Sequence, residues 1–167
     1  MRTTSAGLCV LILLLLAAVT PAGAFTAKNL DIAVQDSADA TITFSYELDW
    51  FENAAVFSRI VSPADELAKA LRSQFNKEVN VISVTGNQAQ FQVVDFAGER
   101  VVDGKRTLTT PSLTFKNAEK ALKKYWFASL IRPDFSPEVT RVSFPDGYAE
   151  EFYNVETIPS VKHELRG

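Results

Sequence analysis

The chain has 167 residues, with 17 Lys and Arg against 20 Asp and Glu, a net charge of −3, and a single histidine. A mildly acidic chain is not the profile of a nucleic-acid binder, which concentrates Lys and Arg and has a high pI. One histidine also excludes a multi-histidine zinc site.

Arg2 is followed by the apolar run Leu8 to Val19, then Pro21 and the small residues Ala22, Gly23 and Ala24. A positive start, a short apolar stretch and a small-x-small exit form the pattern of a secretory signal peptide. Ala22 and Ala24 are the expected cleavage determinants, with the cut before Phe25. The competing reading is a retained anchor, but a spanning helix needs about 20 apolar residues. Cleavage removes the only cysteine, Cys9, and leaves 143 residues at a net charge of −4. The exported domain is then expected to rest on a packed core rather than on disulfides, and to use neither thiolate chemistry nor Cys-ligated metals.

Along the remaining chain, Leu30–Val34 and Ala40–Leu48 alternate apolar and polar residues, the period of half-buried strands, and Asp36–Asp39 reads as the turn between them. Trp50 to Ile60 fits either a helix or an irregular strand. Ser62-Pro63-Ala64-Asp65 carries an N-cap, a first-turn proline and an acid. It predicts a helix with Leu67, Ala70, Leu71 and Phe75 on its buried stripe, ending near Asn76. Val79–Val84 and Ala89–Phe96 read as strands around Gly86-Asn87, and Asp103-Gly104 joins Arg100–Val102 to Lys105–Leu108 as a hairpin. Together these predict a β-meander. A second helix is expected from Thr114, with Ala118, Ala121, Leu122, Tyr125 and Trp126 on its apolar stripe and Lys116, Lys120, Lys123 and Lys124 on its wet side. Val139–Phe144 and Tyr148–Val155 form a last hairpin around Pro145-Asp146-Gly147, and the residues from Thr157 are expected to be an edge segment or loose.

The order is ββ-α-βββ-α-ββ, which predicts an α+β fold: a mostly antiparallel sheet with two amphipathic helices on one face. The expected organisation is a signal peptide over 1–24, one domain over 25–156 and a C-terminal tail over 157–167. Each helix precedes a hairpin, a weak hint of internal duplication.

No H-E-x-x-H, G-x-S-x-G, P-loop or G-x-G-x-x-G motif occurs, and no N-x-S/T sequon. His163 lies four residues from the end, a poor place for a catalytic histidine, which must be held by packing. Lys162-His163-Glu164-Leu165 resembles a retention signal, but such signals are read at the extreme C-terminus, and Arg166 and Gly167 follow. Glu47, Asp49 and Glu52 cluster around Trp50-Phe51, and carboxylates beside aromatics are the raw material of a glycosidase-like site. The aromatic content, 12 Phe, 4 Tyr and 2 Trp, is densest at Trp50-Phe51 and Tyr125-Trp126-Phe127. Neighbouring aromatics cannot all face one core, so Trp50, Phe51, Trp126 and Phe127 form a candidate interaction surface.

The sequence therefore points to an exported protein of the cell envelope or extracellular space. The expected role is a non-catalytic binding or structural domain, without cofactor or metal, for a protein or cell-surface partner. The alternatives are a carboxylate-dependent hydrolase and a signal-anchored component of a membrane assembly, which would touch the membrane through its uncleaved N-terminal segment.

Overall fold

A computed structural model describes residues 26–47, 72, 75–115 and 136–166. Strand accounts for 59% of these residues and helix for 2%. The α+β expectation is thereby corrected: the described protein is a β-structure. Most of both predicted helices, over 62–76 and from Thr114 to Trp126, falls outside the described residues. Among the described residues, Arg72 and Phe75 alone have helical backbone. Asn76 follows with φ of 51° and donates its N–H to the Arg72 carbonyl at 2.8 Å, closing that turn. Thr114, expected to open the second helix, instead belongs to a strand paired with Thr157. The β-branched Thr109, Thr110 and Thr114 around Pro111 favour extended backbone over a first helical turn.

Eleven strands are described. They are β1 (Thr26–Val34), β2 (Ala40–Glu47), β3 (Val79–Val84), β4 (Gln88–Val93), β5 (Gly98–Val102), β6 (Lys105–Thr109), β7 (Leu113–Thr114), β8 (Val139–Ser143), β9 (Ala149–Tyr153), β10 (Thr157–Ile158) and β11 (Lys162–Glu164). Six of them form a sheet in the order β3-β4-β2-β1-β8-β9. β11-β6-β5 form a three-stranded sheet, and β10 pairs with β7. The expected meander is broken at Val94–Ala97, because β4 pairs with β2 on the large sheet while β5 and β6 turn away to a separate one. All pairings are antiparallel except β1 with β8, which run parallel with Asn29 opposite Val139 and Ala33 opposite Ser143.

Local chemistry sets the hairpins. Asp103 and Gly104 both have positive φ, 52° and 79°, the geometry of the tight turn whose twist matches its flanking strands. The β8–β9 turn is closed by Phe144 N–H to the Tyr148 carbonyl at 2.8 Å and by Gly147 N–H to the Phe144 carbonyl at 3.0 Å. Gly147 has φ of 85°, where a side chain would be strained.

Alternation then decides what is buried. On β1, Leu30, Ile32 and Val34 point into the core while Asn29, Asp31 and Ala33 are exposed. Ile42, Phe91, Val93 and Val142 continue that buried layer across the sheet, and Phe96, Leu108, Ile158 and Val161 close it from the other side. Each fully buried aliphatic side chain contributes about 1.5–3 kcal/mol. The layer carries no cysteine, so this packing holds the described protein together without disulfides.

The edges of the large sheet are shielded. The Arg72 guanidinium donates to the Val79 carbonyl from Nε at 3.2 Å and from Nη2 at 3.0 Å. A register shift between Val81 and Ser83 also interrupts β3. The opposite edge, β9, carries Glu150 and Glu151. Bulges and charged side chains of this kind discourage further strand pairing.

Candidate interaction surface

Trp50, Phe51, Trp126 and Phe127, the surface expected from the sequence, lie outside the described residues, as do Asp49, Glu52 and the cleavage residues Ala22 and Ala24. Glu47 is described, at the end of β2. Its side chain is 72% exposed and lies 3.5 Å from Lys28 Nζ, which is held more closely by Glu138 at 2.7 Å. It is a solvated carboxylate in a surface ion pair.

His163 departs furthest from its expected setting. The segment from Thr157 forms two paired strands, and β11 places the imidazole beside the β8–β9 turn. His163 Nε2 lies 2.7 Å from Asp146 Oδ2, and the two side chains are only 11% and 9% exposed. The same carboxylate accepts the Arg166 N–H at 3.0 Å and, at its other oxygen, the Tyr148 N–H at 3.2 Å. The imidazole stacks on the Tyr148 ring, with centroids 4.1 Å apart and planes within 6°, and contacts Phe144 at 5.1 Å. The hydrogen bond to His163, followed by that from the Arg166 amide, lowers the Asp146 pKa to about 2. Among the described residues no serine or threonine hydroxyl hydrogen-bonds His163. The arrangement acts as a clamp that fastens the C-terminal strand to the body.

That clamp orients the three-stranded sheet. Leu108 is fully buried, and its partners across the ladders are Glu99 on β5 and His163 on β11. This side therefore faces the body. It is tied there by Arg106, which is paired with both Glu99 oxygens at 2.7 and 3.2 Å and lies 3.7 Å from Asp36. The Glu99 pKa is lowered by that guanidinium.

The opposite side of the same sheet is open. Strand alternation places Lys105, Thr107 and Thr109 there from β6, Arg100 and Val102 from β5, and Lys162 and Glu164 from β11. The Leu165 N–H donates to the Arg106 carbonyl at 2.8 Å, extending the ladder and bringing Arg166 into register beside Lys105. Among the described residues, Arg100, Lys105, Lys162 and Arg166 thus share one face with a single carboxylate, Glu164, a net of +3 on a chain whose total is −3. Lys105 is paired with Glu164 at 2.8 Å, which raises its pKa. The side chains of Arg100, Lys162 and Arg166 have no ion pair or hydrogen-bond partner among the described residues.

The outer face of the six-stranded sheet has the other character. Gln88, Gln90 and Gln92 of β4 stand opposite Ser45, Thr43 and Thr41 of β2, and Asp31, Arg141 and Glu151 form a row across β1, β8 and β9. The two open faces therefore differ in sign, cationic on the small sheet and polar to mildly acidic on the large one.

The sequence reading missed the cationic face because its members come from three strands far apart in the chain. The nearest signal was Lys162 and Arg166 at alternate positions of a segment read as an edge segment or loose. Comparison of the chain with protein-family models, characterised proteins and solved structures returned no match.

Proposed function

We propose that this is an exported, non-catalytic binding domain of the cell envelope or extracellular space, and that it engages an anionic partner through the open face of β5, β6 and β11. The signal-peptide pattern before Phe25 supports export. The observation that carries the binding surface is charge segregation: four cations against one carboxylate on a face whose threonines and valine add no competing charge. Like-signed side chains gathered on one surface raise the local potential and draw an oppositely charged partner toward it. Three of the four cations are uncommitted within the described fold, so they are available to a partner without breaking an internal pair.

The test is retention on a sulfated polysaccharide and on anionic vesicles, at low and high ionic strength. The native domain is expected to bind at least one of these at low salt and to release it as salt screens the exposed charges. The double variant Arg100→Glu/Lys162→Glu, with both changes on exposed side chains, should fold normally by circular dichroism and lose that binding. Equal retention of the variant would show that this face is not the contact surface.

A further inference from the structure

Taking the anionic-partner reading as its basis, we infer that the partner is the surface of an anionic lipid bilayer, docked by the β5–β6 hairpin and the cationic face behind it. Two features of the hairpin favour a bilayer over a soluble polyanion. The first is shape. The cations are spread over three strands on one face of a single sheet layer, and a plane of lipid phosphates matches such an array.

The second is apolar. Val101 and Val102, next to the turn, are 60% and 46% exposed, among the most exposed large hydrophobic residues described. Val102 shares the cationic face with Arg100 and Lys105, and Val101 projects from the other side of the same strand. A dissolved polyanion offers these valines nothing. A bilayer takes in Val102 beside the basic residues, and Val101 where the end of the hairpin dips below the headgroups, while the flanking Arg and Lys side chains extend their charges to the phosphates.

The turn residue Asp103 opposes this docking, because its carboxylate is exposed at the leading end and meets the same phosphates. Ile82 on β3 and Tyr153 on β9 are comparably exposed, but among the described residues neither strand carries a basic side chain, and β9 is acidic.

The experiment uses the exported chain beginning at Phe25, since every residue of the described core lies beyond that point and the apolar segment before it would itself bind lipid. Co-sedimentation is measured with phosphatidylcholine vesicles, with and without about one third phosphatidylglycerol, and with a soluble sulfated polysaccharide as a parallel arm. Binding to the anionic vesicles is expected, with little to the neutral ones. Arg100→Glu/Lys162→Glu should weaken vesicle binding at least tenfold, roughly the effect of removing two basic residues. Val101→Asn/Val102→Asn should weaken it several-fold and leave polysaccharide binding unchanged. Asp103→Asn should strengthen it.

Polysaccharide binding without vesicle binding, or vesicle binding indifferent to the valines, overturns the bilayer inference while the anionic-partner reading stands. Binding to neither defeats both.

Discussion

Thr140 lies on the core side of β8, fully buried, opposite Leu30 of β1 and Phe152 of β9. Its hydroxyl has no hydrogen-bond partner among the described residues. A buried hydroxyl that gives up water and gains nothing in exchange is a net cost, whereas valine has nearly the same shape and no such group. Thr140→Val is therefore expected to stabilise the fold by about 1 kcal/mol, read as an upward shift in the midpoint of urea unfolding. A lower midpoint would mean that the hydroxyl is satisfied, for instance by an internal water. Alternation in the sequence identified Val139 to Phe144 as a strand. It could not indicate that Thr140 shares the buried side with Val142, because both parities of this segment contain an apolar residue.

Among elements, the contact most open to test is the fastening of β11 to the β8–β9 turn. Folded Asp146 gives up its proton near pH 2, while the same carboxyl in the unfolded chain does so near its ordinary value of 3.8. The unfolded chain therefore takes up the proton first as pH falls. The stabilisation from this group is complete above about pH 4 and disappears as pH drops toward 2. Native protein should lose melting temperature across that interval more steeply than Asp146→Asn, and parallel curves for the two would remove Asp146 from this role.

The clamp also marks where legibility ended. The hairpin turns were readable because their determinants are adjacent: Asp103-Gly104 and Asp146-Gly147 each state a local geometry. β10 and β11, with 2 and 3 residues, are too short to show a period. They exist because β7 and β6 supply the other half of each ladder and because Asp146 captures His163 from 17 residues away. The pairing of β4 with β2 was equally hidden, since Phe91 faces Ile42 across the sheet by tertiary choice and no turn between them announces it. The candidate surface shared that fate: no window of the sequence contains both Arg100 and Lys162.

At the scale of the molecule, the arrangement of β1 governs how the fold can form. β1 is interior to the large sheet, with β2 beside it in the chain on one side and β8 on the other, its paired residues 110 positions away. Closing a loop of that length costs entropy before any contact across it repays the loss. Refolding from denaturant is accordingly expected on the millisecond-to-second scale of β-rich topologies, measured by stopped-flow circular dichroism. Completion within microseconds would contradict this account. Under the export proposed above, the same loop bears on passage across a membrane from the N-terminus. The first strand to emerge has one neighbour close behind it, but the second follows only after most of the chain is through. A segment already on the far side cannot finish its sheet and lock the remainder in transit. Completion waits for the final quarter of the chain, which also brings Asp146 and His163 together and so seals the structure last.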